Sequence, residues 1–446
     1  MAQDKLDLLA SLIDEARAQG ADAADAVLFE GRSQQISVRL GEVEDVERSE
    51  AQDLGLRVFV GQSQAIVSST DFTRSSLSVL VERAVAMARV APADPYCGLA
   101  DAGLLARAPF PDYDLYDPTP ISAEDLKARA FAAEAAALAI PGVSNSEGAG
   151  ASAGSSSVTL VASNGFAGHY RGSSHSISVS VLAGDGTGME RDYDFSSARH
   201  LGDLESPDTV GRRAGEQTVR RLNPRKIKTG QMPLLFDPRV SRTLLGHLAG
   251  AVNGQAIARG TSFLKDRMGQ SIFASGIRVL DNATLKRGLS SRPFDGEGLT
   301  TNPLALIEDG VLKSWVLDTA SAKQLGLHST GHARRGASGP PGPGLTNLYM
   351  EAGQATPAEL MSDIKSGFYI TELIGMGVNG VTGDYSRGAA GFWIENGVIT
   401  HPVSEVTIAG NLITMFKTLI PANDLQFRYG TDAPTLRIDG MMVAGS

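Results

Sequence analysis

The chain has 446 residues, of which 42% are hydrophobic and 20% are charged, and its formal net charge is −10. This length is too great for one ordinary core and predicts two or three domains. The negative charge disfavours nucleic-acid and anionic-membrane binding, and no apolar run is long enough to span a bilayer. The basic residues within 212–228 are interpreted as a solvated helix face. A single cysteine, Cys97, excludes an intramolecular disulfide and a multi-cysteine metal site.

Residues 1–100 are predicted to form a first α+β unit. Leu6, Leu9 and Ile13 have the spacing of an amphipathic helix that ends at Gly20. Acidic residues are mixed into this segment, which argues against a secretory signal and, with the single cysteine, favours a bacterial-type cytoplasm. Four β-rich runs and a second helix are predicted further along, at 25–30, 34–40, 54–60, 64–69 and 76–89. Gly61-Gln62 is predicted to form a hairpin turn between the last two runs.

Residues 101–228 are predicted to repeat this order as a second unit. A Pro- and Tyr-rich link over 91–120 marks the boundary between the two units. Ser122 and Asp125 form a capping-box pattern at the start of an alanine-rich helix. Ser206-Pro207 begins the closing helix of the unit. Strands are predicted between these helices, at 156–161, 168–182 and 189–195.

Residues 229–446 are predicted to form a β-rich domain. The fold class is therefore α+β, with two N-terminal helix–strand–helix units followed by this C-terminal domain. The Gly- and Pro-rich segment 336–344 is expected to be a mobile loop, and one helix is predicted near 412–419. Candidate strands lie at 277–280, 312–317, 345–350, 367–374, 391–394 and 435–443.

The segment Leu244–Gly260 is the most informative one for function. Leu244, Leu248 and Val252 lie on one face of a helix that Asn253-Gly254 interrupts or caps. A zinc-hydrolase helix places two histidines about one turn apart on one face, with a glutamate general base beside the first. Only His247 is present here, and one imidazole cannot replace the three protein ligands of a catalytic zinc.

The other motifs in the sequence are weaker indications of function. Residues 375–380 match the dinucleotide fingerprint Gly-x-Gly-x-x-Gly, but no helix follows, so nucleotide binding is rejected. His328 and His332 have the spacing of helical ligands, yet glycines interrupt the segment and favour a loop with surface histidines. Cys97 lacks a neighbouring activator and is interpreted as a bystander thiol. Six polar residues among glycines are interpreted as turn and solvent residues, with a cleft lining as the alternative: Asp295, Glu297, Glu372, Asp384, Arg387 and Glu395.

Four segments of the chain carry a resemblance to a known family. They are Gly246-His-Leu-Ala-Gly-Ala251 with Ala258-Arg-Gly-Thr-Ser-Phe-Leu264, Ser291-Arg-Pro-Phe-Asp-Gly-Glu-Gly298, Leu325-Gly-Leu-His-Ser-Thr-Gly-His-Ala333 and the closing Ala433–Gly445. With these segments the chain resembles the TldD/PmbA family of peptidases over nearly its whole length. In that family the TldD branch carries His-Glu-x-x-x-His on this helix and a downstream cysteine, which complete a zinc site. The TldE (PmbA) branch lacks these ligands and pairs with the first as a heterodimeric protease.

The resemblance aligns Gly246 with the first histidine of that motif, His247 with the glutamate and Ala251 with the second histidine. Cys97 lies far upstream of the position of the third ligand. The resemblance therefore implies a TldE (PmbA)-type subunit with no zinc and no other cofactor of its own. Zinc is expected in a TldD-type partner.

The leading hypothesis is a non-catalytic subunit of a cytoplasmic TldD/TldE-type heterodimeric metalloprotease that degrades or processes unfolded or extended peptides. We expect the chain to be inactive alone. The alternative is a stand-alone homodimeric peptide- or protein-binding regulator of the DNA gyrase modulator type, and independent hydrolysis is the weakest hypothesis because no nucleophile–base pair is visible. The residues assigned to a substrate or partner cleft are His247, Arg259, Ser262, Phe263, Asn379, Asp384 and Arg387.

Overall fold

Six strands and four α-helices build the N-terminal half of the protein, in a computed structural model that describes residues 2–445. The strands are β1 (Ala23–Arg39), β2 (Glu42–Val60), β3 (Ser63–Ser69), β4 (Val143–Ala162), β5 (Ala167–Ala183) and β6 (Glu190–Ala198). The helices are α1 (Ala2–Ala18), α2 (Arg74–Val90), α3 (Ala123–Leu138) and α4 (Pro207–Arg220). The strands form one antiparallel sheet in the order β3-β2-β1-β4-β5-β6. The two units predicted over 1–100 and 101–228 therefore share a single sheet.

The four helices cover one face of this sheet. Ala24 of β1 shares a hydrophobic cluster with α1 and α2, and Ile36 of the same strand shares another with α3 and α4. Side chains alternate between the two faces of a strand, so these even-numbered residues lie on the same face. Val27 lies on the opposite face and clusters with Phe294 of the C-terminal domain. The sheet is thus enclosed between its helices and the second half of the chain.

The helix starts and turns of this half follow the predictions closely. Ser122 and Asp125 form the predicted capping box at the start of α3, and the side chain of Ser206 caps α4. The predicted hairpin turn at Gly61-Gln62 joins β2 to β3. Among residues 2–445, no helix combines the length and the apolar character needed to cross a membrane.

The C-terminal half is dominated by strands, as predicted. Its strands are β7 (Gly230–Phe236), β8 (Val279–Asp281), β9 (Leu304–Glu308), β10 (Val311–Leu312), β11 (Ala333–Arg334), β12 (Gly342–Pro343), β13 (Leu348–Met350), β14 (Ser366–Val378), β15 (Asp384–Glu395), β16 (Val398–Asn411), β17 (Ile420–Pro421), β18 (Thr431–Asp432) and β19 (Leu436–Ala444). Its helices are α5 (Pro238–Ala251), α6 (Gly254–Ala258), α7 (Thr319–Leu325), α8 (Pro357–Met361) and α9 (Leu412–Thr418).

The long strands of this half form a closed sheet that supports α5. Their order is β16-β15-β14-β7-β19-β17, and an additional pairing of β16 with β19 closes five of them into a ring. A second sheet has the order β10-β9-β8-β13-β18. Leu244 and Leu248 of α5 join Phe236, Phe368 and other residues of both sheets in one hydrophobic core. Burial of this apolar helix face fixes the position of α5 on the strands.

Two C-terminal segments differ from the prediction. Of the strand predicted at 312–317, only Leu312 lies in a strand, β10, and Asp318 then caps α7. The segment 336–344 is not a free loop, since Gly342–Pro343 pairs with Ala333–Arg334. Ala337 also lies so close to β2 that a Cβ on Gly55 would come within 2.2 Å of its carbonyl oxygen. Contact with the N-terminal sheet therefore holds this segment.

The basic residues between 212 and 228 are not simply a solvated face. Arg213 pairs with Asp194 at 2.6 Å and with Glu205 at 2.7 Å. Arg221 is largely buried and pairs with Glu190 at 3.3 Å. These arginines are neutralised within the fold, which removes them from any basic surface.

Candidate functional site

Helix α5 carries the three positions that align with the family's zinc motif. Asp237 caps it by accepting a hydrogen bond from the backbone N–H of Arg239 at 2.9 Å, and Pro238 occupies the first turn. The helix therefore begins at Pro238, earlier than the predicted start at Leu244. It ends at Ala251, and the side chain of Asn253 caps the short α6, in agreement with the predicted interruption.

The residues at these positions do not fit a zinc ion. Gly246 has no side chain, Ala251 is apolar and buried, and His247 offers a single imidazole. Cys97 is engaged elsewhere, where its thiol donates to the carbonyl oxygen of Gln62 at 3.3 Å. Across residues 2–445, no group of three or more His, Cys, Asp or Glu side chains could hold a metal ion.

His247 instead faces strand β15, where its ring meets Tyr385 and the charge of Arg387 acts on it. The rings of His247 and Tyr385 lie edge to face, with centroids 5.9 Å apart. Tyr385 and Arg387 are buried and alternate with the exposed Asp384 and Ser386, so they share the inner face of the strand. Burial and the charge of Arg387 lower the pKa of His247, which keeps the imidazole neutral near pH 7. Burial also raises the pKa of Tyr385.

These three residues, the α5–β15 cluster, contain buried polar atoms without partners. Tyr385 is 1% exposed. Neither its hydroxyl nor the buried Nε2 of His247 has a hydrogen-bond partner among residues 2–445. Arg387 is 9% exposed and donates from Nε to the carbonyl oxygen of Ile374 at 3.4 Å. Its guanidinium forms no ion pair with any of residues 2–445. Buried polar groups are ordinarily hydrogen-bonded, so the unpaired atoms of Tyr385 and His247 need a physical reason, as do those of His175 and Arg335 elsewhere in the described chain.

The turn between β14 and β15 carries two further predicted residues, Asn379 and Asp384. The side-chain oxygen of Asn379 accepts a hydrogen bond from the backbone N–H of Val381 at 2.9 Å. Asp384 accepts hydrogen bonds from the hydroxyl of Thr382 at 2.6 Å and from the amide of Asn411 at 3.1 Å. These bonds lower the pKa of Asp384. Both side chains therefore shape the turn that leads to Arg387.

The predicted residues after α6 are divided between that turn and the interior. The backbone N–H of Phe263 donates to the carbonyl oxygen of Gly380 at 3.0 Å, which places Phe263 against the turn. Ser262 is buried and its hydroxyl donates to the carbonyl oxygen of Ala251 at 2.6 Å. Arg259 ends α6 and is exposed. The structure thus brings His247 to Arg387 and Phe263 to the turn, and it encloses Ser262 in backbone contacts.

The hairpin formed by β14 and β15 also explains the glycine-rich fingerprint. Residues 375–380 lie at the end of β14 and in the turn, and no helix follows them. The end of this hairpin exposes apolar side chains: Ile374 is 58% exposed, Met376 87% and Val381 56%. Grouped exposed apolar side chains are typical of interaction surfaces.

The expectation of two surface histidines is wrong for His332. This residue is 1% exposed, and its Nε2 lies 3.2 Å from a carboxylate oxygen of Asp281, a residue of β8. Its Nδ1 is 2.7 Å from the carbonyl oxygen of Thr330. His328 is exposed as expected. This contact with β8 joins segments that are distant in the chain, so the local sequence gives no signal for it.

A second polar cluster joins the two halves of the protein, and we call it the interface charge cluster: Asp25, Arg57, Asp295, Glu297 and Arg335. Asp25 of β1 accepts a hydrogen bond from Nε of Arg57 at 2.9 Å and forms an ion pair with Arg335 at 2.5 Å. The side chains of these three residues are at most 5% exposed. Arg335 follows β11, so this contact ties the N-terminal sheet to the C-terminal half.

Asp295 and Glu297 were expected to be turn and solvent residues, and that interpretation is wrong. They are 2% and 6% exposed. Asp295 accepts three backbone hydrogen bonds, and Glu297 accepts one from the hydroxyl of Thr319 at 2.7 Å. Burial raises the pKa of both carboxyls, and the neighbouring Asp295 adds to the shift that brings the pKa of Glu297 to about 8.

Comparison with known proteins identifies the family. The chain is 37% identical over 427 residues to the metalloprotease PmbA of Escherichia coli O157:H7, an alignment that covers 95% of this chain and 92% of that protein. This chain belongs to the PmbA/TldD metalloprotease family. Family models of the PmbA/TldA metallopeptidase match domain 1 at residues 24–88, the central domain at 116–222 and the C-terminal domain at 229–445.

Solved structures agree with this PmbA/TldD membership. A candidate modulator of DNA gyrase from Bacteroides thetaiotaomicron matches with a TM-score of 0.91 and 27% identity over 100% of both chains. TldE from Thermococcus kodakarensis matches with a TM-score of 0.88 over 98% of this chain and 100% of that one, at 21% identity, which shows the shared fold. Both the family resemblance and the predicted fold class are confirmed.

Proposed function

We propose that this chain is the zinc-less, non-catalytic subunit of a heterodimeric TldD/TldE-type metalloprotease in the cytoplasm. Its partner would be a TldD-like subunit with an intact His-Glu-x-x-x-His motif and a zinc ion. The complex would degrade or process unfolded or extended peptides. The net charge of −10 favours neither nucleic acid nor an anionic membrane as a partner.

The observation that carries this proposal is the retention of α5 without its metal donors. The helix keeps its cap and its buried face, while Gly246, His247 and Ala251 occupy the motif positions. A catalytic zinc requires three protein ligands and an activated water, and one neutral imidazole meets neither need. A subunit that supports a catalytic partner would keep the fold of the family and lose the metal-binding residues.

The hairpin end beside α5 supports a role in holding substrate or partner. Ile374, Met376 and Val381 expose apolar surface there, and Phe263 lies against the same turn. An extended peptide can pair its backbone with a strand while its side chains contact such a surface. We propose that this hairpin forms one wall of the peptide-binding cleft, and that His247 and Arg387 lie at the inner end of the cleft.

Zinc content and activity test the proposal together. The untagged, chelator-washed chain is expected to contain far less than one zinc ion per molecule by elemental analysis. It should not cleave an unstructured fluorogenic peptide alone, and cleavage should appear on addition of a TldD-type relative. A partner whose motif glutamate is replaced by glutamine is the matched control and should leave the mixture inactive. Stoichiometric zinc, or full activity of this chain alone, would contradict the proposal.

The alternative, a stand-alone homodimeric binding regulator, is supported by the similarity to the Bacteroides protein, a candidate modulator of DNA gyrase. Co-purification separates the two hypotheses. A protein with His-Glu-x-x-x-His should co-purify with this chain if the heterodimer is correct. A homodimer that binds peptide and recruits no such protein would favour the regulator.

A further inference from the structure

We propose that Arg387, Tyr385 and His247 form a binding site for a carboxylate group of an extended peptide. The inference rests on the proposed peptide-handling function and names the chemical group that the cleft recognises. Two sources of that group are a free peptide C-terminus and an Asp or Glu side chain.

The unpaired polar atoms are the first ground for this site. Arg387 is more than nine-tenths buried, yet its guanidinium has no carboxylate partner within the described chain. The hydroxyl of Tyr385 and Nε2 of the neighbouring His247 are buried without hydrogen bonds to any of residues 2–445. Buried polar atoms without partners are costly, so a ligand that pairs with them, and with the charge of Arg387, binds with a gain.

The charge of the cluster selects the ligand. It holds one cation, Arg387, since the lowered pKa of His247 leaves the imidazole neutral near pH 7. A planar guanidinium matches a carboxylate with two parallel hydrogen bonds, and the Tyr385 hydroxyl adds a neutral donor. A doubly charged phosphate would be left with one uncompensated charge here. A carboxylate is therefore the better match.

The surface of α5 leaves room beside this cluster. Gly246 and Gly250 flank His247 on the helix, both are exposed, and a Cβ built on either would meet no atom within 4 Å. The β14–β15 hairpin, which carries Tyr385 and Arg387, exposes Ile374 and Met376. A peptide that lies along the hairpin could place a carboxylate against Arg387 with its apolar side chains on these two residues.

Calorimetric titration of the full chain with three synthetic peptides tests the site. The peptides are N-acetylated, unstructured and built from Ala, Ser and Leu. One ends in a free acid, one is its C-terminal amide, and one is an amide with an internal Glu. The free acid is expected to bind at least tenfold more tightly than the plain amide, the value of one charge-assisted hydrogen bond or more. The amide with an internal Glu identifies the source of the carboxylate. If its affinity equals that of the free acid, the site binds a side-chain carboxylate. If its affinity equals that of the plain amide, the site binds the C-terminus.

Variants show whether the preference arises at this cluster. Arg387→Met should abolish the preference for the acid, and Tyr385→Phe should reduce it about three- to tenfold. Arg83→Met is the matched control, because Arg83 is an exposed arginine of α2 in the other half. Unfolding midpoints should show that all three variants are folded.

Two outcomes would overturn the carboxylate site. One is equal or undetectable binding of the acid and both amides to the chain, alone and with a TldD-type partner whose motif glutamate is replaced by glutamine. The other is a preference for carboxylate that survives Arg387→Met. Because binding is measured without cleavage, a failure here is distinct from a failure of the heterodimer proposal, which would appear as zinc or activity in this chain.

Discussion

The interface charge cluster and the α5–β15 cluster both bury charge, and they differ in how that charge is compensated. In the first, Asp25 lies between two arginines, and the carboxyls of Asp295 and Glu297 accept hydrogen bonds. In the second, no carboxylate of residues 2–445 pairs with Arg387, and the hydroxyl of Tyr385 has no acceptor among them. Tyr385 is as deeply buried as Asp25, so burial alone does not separate structure from function. The presence or absence of an opposite charge does.

The two clusters differ because one joins the two halves of the protein and the other is proposed to bind a ligand. The interface charge cluster holds β1 and β2 against the segment after β11, and the opposite charges of Asp25 and its two arginines stabilise that contact. Its hydrogen bonds are incomplete, since Oδ1 of Asp25 and the guanidinium nitrogens of Arg335 are buried without one among residues 2–445. Buried polar groups without partners lower the stability of a well-packed protein. They are expected to persist where a bound ligand supplies the missing partners. The following variants test this contrast, from the largest expected effect to the smallest.

Asp25→Asn should have the largest effect, because it leaves Arg57 and Arg335 as buried charges without their shared carboxylate. Breaking a buried ion pair in this way costs about 3–5 kcal/mol. The loss should appear as a lower midpoint of urea unfolding. Asp53→Asn, an exposed change on β2, is the control and should stay within about 0.5 kcal/mol of the native protein. A tolerated Asp25→Asn would show that the cluster does not hold the halves together.

Two tyrosine variants compare a paired hydroxyl with an unpaired one. The hydroxyl of Tyr369 donates to Asp237 at 2.8 Å, so Tyr369→Phe should cost about 1–2 kcal/mol of unfolding free energy. Tyr385→Phe removes a hydroxyl without a partner and should be neutral or stabilising by up to about 1 kcal/mol. Chemical unfolding of both variants measures the difference. Equal destabilisation by the two would mean that the Tyr385 hydroxyl is paired in solution, which would remove the contrast between the clusters.

Glu297→Gln should have the smallest effect, visible as a change in pH dependence. Burial, with the charge of Asp295, raises the pKa of Glu297 to about 8, so the folded protein holds this proton more tightly than the unfolded chain. The stability from this group is fully present below a pH of about 4.5 and is lost as the pH rises through about 8. The melting temperature of Glu297→Gln should therefore fall less between pH 6 and pH 9. Glu44→Gln, an exposed change, should follow the native profile.

Local signals were enough for much of the fold. The capping box of Ser122 and Asp125, the cap at Asn253 and the turn at Gly61-Gln62 each depend on residues within a few positions of one another. The α+β class follows from the spacing of apolar residues, which records the face that each element buries. Asp25 within the apolar start of β1 was an available signal for a buried ion pair, and the alternation of Tyr385 with Arg387 was one for a shared face. Neither signal shows which distant residues these side chains contact.

The sequence by itself determined that Gly246 and Ala251 of α5 carry no metal donor, because the identity of a residue can be read without a structure. Only the tertiary structure decided that β1 and β4 carry both predicted units in one sheet, that His332 contacts Asp281, and that Tyr385 lies beside His247. Residue identity is local, whereas burial and pairing depend on segments that are distant in the chain and meet only when strands close into sheets. The candidate carboxylate site belongs to this second class, because its defining property is the lack of a partner in three dimensions.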